Sequence, residues 1–270
     1  MSIGTAVLLA LAAGLAIWIN RRYAWWRPTV DYRHPRILMY HMVSAHRPGA
    51  QFNKLRVTPE SFETQIAYLQ ANGWRFGFMS ELADLPEKSV VLTFDDGYAD
   101  NLHHADVILQ RYGAKATLYL VEDRFDRDWS TSKKAHHDSG ELMQEPKLSD
   151  EEVRAMLASG RWELGGHTRT HVNLPRLDMP ERRAEIAESR ASLARAFGQA
   201  MLSFAYPFGI YGAEDVALVR EAGFQYAVTT EEGIARDLQT QALELPRIKV
   251  SGKDSLLDYR LRLRTGKRSA

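Results

Sequence analysis

The feature that most constrains the fold is the alternation of strand-like and helix-like segments along residues 36–250. Short apolar runs, several of them rich in β-branched residues, have the length of buried strands, and the stretches between them have helical spacing. This order predicts parallel βαβ units. Seven or eight strands can be counted without any internal sequence repeat. The count favours an α/β fold that closes into a distorted barrel, with a doubly wound open sheet as the alternative.

Length and composition narrow the classes of protein and of site. At 270 residues the chain can form one barrel-sized domain or two smaller domains. The formal net charge is +1, so no global field favours nucleic acid, and we predict no nucleic-acid partner. The chain has no cysteine. Disulfides and thiolate metal sites are therefore excluded, and histidine, aspartate and glutamate remain as metal ligands.

The first 27 residues differ in composition from the rest. The run from Ile3 to Ile19 is almost wholly apolar, and aromatic and basic residues follow it to Arg27. This pattern predicts an uncleaved transmembrane anchor over residues 1–27. We divide the remainder into a linker at 28–35, a barrel domain at 36–252 and a basic C-terminal tail at 253–270. A buried core helix is the alternative for the apolar run, but such a helix is seldom apolar on every face.

The segment Ser89 to Gly97 contains the most unusual local pattern. Its first six residues have the character of a buried strand, and Asp95, Asp96 and Gly97 then end it. Adjacent carboxylates repel each other. A divalent cation would remove the repulsion and leave one carboxylate free as a base. The alternative is an ordinary Asp-Asp-Gly turn on the surface.

Several other polar residues follow predicted strands. Because parallel barrels carry their chemistry at the carboxyl ends of the strands, these residues are expected at one end of the domain. They are His41, Asp95, Asp96, His167, His171, the turn from Tyr206 to Gly209, and Arg247.

His167 and His171 lie four positions apart. In a helical backbone both rings would share one face and could bind one ion. Together with Asp96 they form a set of two histidines and one carboxylate that leaves coordination positions open. A divalent metal is therefore predicted as cofactor, with zinc as the first choice and nickel, cobalt or manganese as alternatives. An exposed helix start is the other interpretation of the histidine pair.

Three motifs together resemble a known family. Thr93 to Gly97 (TFDDG), His167 to His171 (HTRTH) and Tyr206 to Gly209 (YPFG) are similar to motifs of the polysaccharide deacetylases, carbohydrate esterase family four. The resemblance extends over about residues 36–250 and implies a distorted (β/α)7 barrel. It also implies metal-dependent hydrolysis of N-acetyl groups on a polysaccharide or a lipid-linked amino sugar.

The resemblance implies a role for each matching residue. Asp95 would be the general base, and Asp96, His167 and His171 would hold the metal. The backbone N–H of Phe208 would complete the oxyanion site, and Tyr206 and Pro207 would contact substrate. No histidine follows His171 in the chain. The general acid is therefore assigned to His41, since Met39-Tyr40-His41 resembles the branch of the family that has an N-terminal Tyr-His motif.

One departure from the family pattern affects Asp95. Ala205 stands where the family usually has an arginine that orients the catalytic aspartate. Arg247 could supply the guanidinium from a later strand, and a surface arginine is the alternative interpretation. The missing arginine also motivates a second hypothesis, a catalytically silent carbohydrate-binding barrel. A third is an amidase or deformylase that acts on a non-polymeric substrate.

The predicted location is the inner membrane, with a single N-terminal span. The family resembled here acts mostly on polymers outside the membrane, which slightly favours an extracytoplasmic catalytic domain. The arginines that follow the apolar run favour the cytoplasmic face instead.

Overall fold

The structure is a computed structural model that describes residues 3–23, 26–130 and 139–267. The strands within these ranges are β1 (Arg36–Tyr40), β2 (Met42–Val43), β3 (Arg56–Val57), β4 (Arg75–Gly77), β5 (Ser89–Asp95), β6 (Ala116–Leu120), β7 (Trp162–Gly166), β8 (Ser203–Ala205), β9 (Tyr226–Glu232) and β10 (Leu245–Lys249).

The α-helices in the same ranges are α1 (Ile3–Tyr23), α2 (Pro59–Ala71), α3 (Val107–Tyr112), α4 (Glu141–Gln144), α5 (Asp150–Ala158), α6 (Met179–Arg183), α7 (Ser189–Phe197), α8 (Ala213–Glu221) and α9 (Leu256–Thr265). A π-helical segment, Asn101–Asp106, leads into α3, and a second one, Ala184–Glu188, joins α6 to α7.

Seven parallel strands close into a barrel. Their order is β1, β10, β9, β8, β7, β6 and β5. The barrel closes because β5 also pairs with β1 over the whole length of β1, from the pair of Arg36 with Val90 to the pair of Tyr40 with Phe94. Strand β4 pairs with the first residues of β5, and β2 and β3 form a separate two-stranded ladder. The prediction of a distorted seven-stranded barrel is confirmed, and the open doubly wound sheet is excluded.

The barrel strands are buried on both faces, which explains why their sequences are mainly apolar. All residues of β1, β5 and β6 are buried. Between β5 and the helices an aromatic cluster forms, in which Phe94 lies 5.3 Å from Tyr40, 5.8 Å from Phe62 and 5.2 Å from Trp162 between ring centroids. Continuous apolar runs of this kind are what parallel strands with two buried faces require.

The C-terminal segment is a helix that packs on the barrel. Tyr259 and Leu263 of α9 are buried in the main core, and the Tyr40 hydroxyl lies 3.4 Å from that of Tyr259. The Arg36 side chain also donates a hydrogen bond to the Leu263 carbonyl at 2.8 Å. Most of the segment that the sequence marked as a basic tail therefore belongs to the folded domain, and residues 268–270 lie outside the described ranges.

The structure corrects the prediction of a membrane anchor. Over the described ranges, no helix has the length and apolar character that a membrane crossing requires. Helix α1 has 21 residues, but positions 20–22 in its last turns are asparagine and two arginines. The prediction of a single-pass inner-membrane protein is therefore wrong.

Candidate active site

A cavity of about 600 Å³ opens at the carboxyl ends of the barrel strands. Six of the residues singled out in the sequence line it, and they follow or end four different strands. They are His41 after β1, Asp95 and Asp96 at the end of β5, His167 and His171 after β7, and Phe208 after β8. The barrel topology thus brings these side chains together, as expected for a parallel barrel.

A left-handed turn that begins at Asp96 points the side chains of Asp95 and Asp96 in different directions. Asp95 is the last residue of β5, and Asp96 and Gly97 then adopt φ values of +80° and +81°. A Cβ atom at position 97 would lie 2.6 Å from the Leu120 side chain, so both the conformation and the space require glycine there. The turn directs the two neighbouring carboxylates to different partners.

Asp95 forms a bidentate ion pair with Arg247. Nη1 and Nη2 of Arg247 donate to the two carboxylate oxygens at 2.7 Å each, and both residues are buried. The guanidinium also donates to the Thr229 carbonyl at 2.9 Å and to the Thr93 hydroxyl at 3.0 Å, which fixes its plane. Burial alone would raise the pKa of Asp95, but the Arg247 charge and hydrogen bonds hold that pKa below its ordinary value.

Asp96 faces the two histidines. Its Oδ1 lies 3.3 Å from Nε2 of His167 and 3.2 Å from Nε2 of His171, and all three side chains are buried. One ligand atom from each lies within 4.8 Å of the others. Burial would raise the pKa of Asp96, but its contacts with His171 and His167 hold it well below the ordinary value.

The donor set fits a divalent cation. Nδ1 of His167 lies 2.7 Å from the Ala205 carbonyl, and because a carbonyl only accepts, Nδ1 carries the proton and Nε2 presents its lone pair towards Asp96. Within the described ranges, Oδ1 of Asp96 has no hydrogen-bond donor. A buried carboxylate oxygen that faces an imidazole lone pair lacks a positive partner, and a cation would supply it.

A loop, and not a helix, brings the histidines together. Thr168 and His171 have φ values of +63° and +55°, so the helical spacing argument does not describe this segment. The carboxylate of Glu185 shapes the loop, since it accepts hydrogen bonds from the backbone N–H groups of Arg169 and Thr170 at 2.9 Å each. The two imidazole centroids end 4.7 Å apart.

The turn Pro207–Gly209 presents Phe208 to the cavity. Phe208 has φ +59°, and its ring lies 4.5 Å from that of His171. The resemblance implied substrate contacts by Tyr206 and Pro207, and in the structure both residues are buried and neither lines the cavity. The Tyr206 hydroxyl instead donates to the Leu243 carbonyl at 3.0 Å.

His41 reaches the cavity from the junction of β1 and β2. The Asn101 side chain donates to the His41 backbone carbonyl at 2.8 Å and so fixes the chain at this point. Burial lowers the pKa of His41, and the charges of Asp96 and Asp95 oppose that effect only in part.

Sequence reasoning missed two kinds of contributor, which are the distant residues that hold the backbone at the site and the lysines that line the cavity. Glu185 and Asn101 hold backbone at the site from distant positions, and no local pattern marks them. Trp129, a loop residue, is buried with its ring 4.9 Å from that of His171. Lys54, Lys249 and Lys253 line the cavity although they lie outside every motif.

The fold and the site define a class of protein. A parallel barrel with a buried Asp-His-His set, next to a carboxylate held ionised by an arginine, has the parts of a metal-assisted hydrolase. The comparisons with known proteins carry this further. A sequence model of the polysaccharide deacetylase family matches residues 83–227.

Individual relatives agree with this match. The chain is 31% identical over 223 residues, 80% of its length and 71% of the relative's, to YxkH of Bacillus subtilis (strain 168), which is assigned to the polysaccharide deacetylases. It is 24% identical over 209 residues, 72% of its length and 68% of the relative's, to the poly-β-1,6-N-acetyl-D-glucosamine N-deacetylase of Staphylococcus aureus (strain MRSA252).

A solved structure gives the same result. The acetate complex of the Streptococcus pyogenes deacetylase PplD superposes with a TM-score of 0.70 at 25% identity, over 87% of this chain and 99% of that one. The chain belongs to the polysaccharide deacetylase family, and the resemblance seen in the three sequence motifs is confirmed.

Proposed function

We propose that this chain removes N-acetyl groups from an N-acetylated glycan by metal-assisted hydrolysis of the amide bond. One observation carries the proposal: the Asp96-His167-His171 set lies beside an Asp95 carboxylate that is already paired with Arg247. Membership of a family of carbohydrate deacetylases supports the reaction class. The staphylococcal relative, named for a polymer of N-acetylglucosamine, supports an amino-sugar polymer as the substrate.

Asp96, His167 and His171 are the proposed metal ligands. Two imidazole nitrogens and one carboxylate oxygen suit zinc, which is the metal we propose. Bound there, zinc would polarise the acetyl carbonyl and lower the pKa of the attacking water. Trp129 and Phe208 pack against the His171 ring and limit the access of bulk water to it.

Asp95 is the proposed general base and Arg247 its positioning residue. The bidentate pair keeps the Asp95 carboxylate ionised and fixed in one orientation, so it is ready to accept a proton from water. Arg247 reaches Asp95 from β10 and supplies the guanidinium that Ala205 cannot. This removes the observation that motivated the catalytically silent barrel.

His41 and Phe208 complete the proposed machinery. His41 would donate a proton to the leaving amine, a role that requires its imidazolium form. The Phe208 N–H would donate a hydrogen bond to the oxygen that becomes negatively charged. Burial lowers the pKa of His41, so the imidazolium form is less favoured in the free enzyme than it would be in water.

The test of the proposed function is the release of acetate. The purified chain with added zinc should release acetate and free amines from the tetramer of N-acetylglucosamine. A chelator should abolish this release and zinc should restore it. Release of formate or acetate only from small non-sugar amides would instead favour the amidase or deformylase hypothesis. No release from any amide, with normal zinc binding, would favour a carbohydrate-binding barrel.

A matched pair of variants tests the role of His41. His41→Ala should lower turnover of the tetramer by about 10²-fold or more, the typical contribution of general acid catalysis. His103→Ala is the control, because His103 is exposed and lies outside the cavity lining. Full turnover by His41→Ala would remove His41 from the mechanism and leave the metal site unaffected.

A further inference from the structure

Three lysines line the cavity outside the proposed catalytic machinery. Lys249 ends β10, Lys253 follows it by four residues, and Lys54 lies in the short helix before β3. The backbone N–H of Gly252 donates to the Lys54 carbonyl at 3.0 Å, so the two lysine-bearing segments adjoin. The three ammonium groups therefore come from one continuous piece of the cavity rim, defined here as the lysine rim.

The lysine rim is held firmly in place. Arg262 donates to the Lys249 carbonyl and forms a buried ion pair with Asp254 at 2.6 Å. A Cβ atom at position 252 would lie 1.8 Å from the Arg56 carbonyl, so the loop packs tightly on the segment that follows Lys54. The backbone that carries the lysines is thus part of a packed structure.

The charges of the lysine rim are not neutralised by the protein. Over residues 3–23, 26–130 and 139–267, no carboxylate forms an ion pair with any of the three ammonium groups. Of the charged groups that line the cavity, Asp95 is paired with Arg247 and Arg262 with Asp254, which leaves Asp96 and Glu232 as carboxylates. Three lysines against these two carboxylates leave a formal excess of one positive charge beside the reaction centre, and a divalent cation at Asp96 would add two more.

The remainder of the cavity lining is suited to a sugar ring. Phe52, Leu55, Trp129, Leu142 and Phe208 supply aromatic and aliphatic surface. Apolar walls with a few convergent polar groups are typical of small-ligand sites. An uncharged glycan offers no counter-charge to these three ammonium groups, whereas a phosphate, sulfate or carboxylate would pair with them.

We propose that the cavity binds an N-acetylated sugar that carries an anionic group, and that Lys54, Lys249 and Lys253 bind this group while the acetamido group lies at Asp95 and Asp96. The inference rests on the proposed function for the position of the acetamido group. Binding of the anion itself depends only on the lysine rim. The anionic group belongs to the substrate sugar or to the residue next to it.

The test compares three probes: N-acetylglucosamine, its 1-phosphate and its 6-sulfate. Their dissociation constants are measured by calorimetry on the zinc-loaded full chain. The variant is the triple substitution Lys54→Gln, Lys249→Gln, Lys253→Gln. The control is Lys88→Gln, because Lys88 directly precedes β5, at the opposite end of the barrel from the cavity. The sulfate is a poor zinc ligand, so it separates binding by the lysines from binding by the metal.

At least one anionic probe should bind about tenfold or more tightly than the neutral sugar. This preference should fall to less than about twofold in the triple variant, should weaken as salt rises from 0.05 to 0.5 M because exposed charges are screened, and should be retained in Lys88→Gln. Equal binding of all three probes by the unmodified chain would overturn the proposal. An anion preference that persists in the triple variant would overturn it as well.

The same samples separate this inference from the proposed function. If acetate is released from the neutral tetramer but no anion preference exists, only the inference fails. If the lysine-dependent preference exists but no amide is hydrolysed, the proposed function fails and the anion site remains.

Discussion

At the scale of single residues, Asp95 and Asp96 are neighbours with different partners. The left-handed turn at Asp96 and Gly97 allows one carboxylate to face Arg247 and the other to face two imidazoles. Both are buried at the same strand end, but Asp95 has a cationic partner in Arg247, whereas Oδ1 of Asp96 faces two imidazole nitrogens and has no hydrogen-bond donor within the described ranges. This separation permits one carboxylate to hold a metal while the other accepts a proton.

Removing Arg247 should move the pH dependence of the reaction. In Arg247→Met, burial of Asp95 persists without the guanidinium, so the pKa of Asp95 should rise. Turnover depends on the ionised carboxylate and is lost as pH falls through that pKa. The acid limb of the pH–rate profile should therefore shift to higher pH.

The conservative variant Arg247→Lys is the control for this prediction. It keeps the charge but loses the planar bidentate geometry, so it should restore part of the shift and leave turnover reduced. Circular dichroism would verify that both variants fold. An acid limb at the same pH in Arg247→Met and in the unmodified chain would show that Arg247 does not control the ionisation of Asp95.

The sequence allowed the parts of the site to be found better than their geometry. The three motifs and the strand order indicated Asp95, Asp96, His167 and His171, because such patterns are local. The left-handed positions in the loop from His167 to His171 were not predictable, since Glu185, fourteen positions beyond His171, holds the backbone N–H groups of Arg169 and Thr170. The burial of Tyr206 was not predictable from its motif either, since one motif residue can pack in the core while the next turn faces the cavity.

At the scale of elements, β7 positions the histidine loop. It ends in Gly165 and Gly166, directly before His167, and these residues let β7 approach its neighbours closely. A Cβ atom at position 165 would lie 2.5 Å from the Tyr119 ring of β6 and 2.8 Å from the Ser203 carbonyl of β8. Close packing between neighbouring strands, and not backbone conformation, therefore requires glycine at position 165.

Gly165→Ala should destabilise the barrel by about 1–3 kcal/mol, the typical cost of overpacking a close-packed interior. Chemical denaturation measures the change in the free energy of unfolding. Gly212→Ala is the control, because a Cβ there would make only an ordinary contact of 3.8 Å with Asp215, and its cost should stay below about 1 kcal/mol. Equal costs for the two variants would contradict the packing argument.

The alternation of strands and helices was sufficient to predict parallel βαβ units, because continuous apolar runs separated by helical spacing leave few other arrangements. The strand count favoured a barrel over an open sheet but did not decide between them. Closure between β1 and β5 was not visible in the sequence, since it pairs segments about fifty residues apart. The helical character of Leu256–Thr265 was also missed, because arginines alternate there with the buried Leu263 and Tyr259.

At the scale of the whole molecule, the site joins elements from opposite parts of the chain. Asp96 comes from the first half of the domain, and His167 and His171 come from the second half. A metal ion would therefore link the two halves across the barrel mouth. Because the ligand set forms only in the folded chain, metal binding should stabilise that state.

Zinc at about 100 times its dissociation constant should stabilise the fold by about 2.7 kcal/mol. For a protein of this size that corresponds to a rise in melting temperature of about 5–10 °C, measured by calorimetry with and without a chelator. Asp96→Asn should abolish most of the rise. Asp84→Asn, at an exposed position outside the cavity lining, should retain it. A full rise in Asp96→Asn would place the metal elsewhere.

The most direct test of the division of roles is turnover per bound metal ion, with zinc content and acetate release measured on the same samples. Asp96→Asn should lose both metal and turnover. Asp95→Asn should bind zinc normally and yet release acetate from the N-acetylglucosamine tetramer at least about 10²-fold more slowly, since general base catalysis contributes that much. If Asp95→Asn keeps the turnover per zinc of the unmodified chain, Asp95 is not the base and the central claim is contradicted.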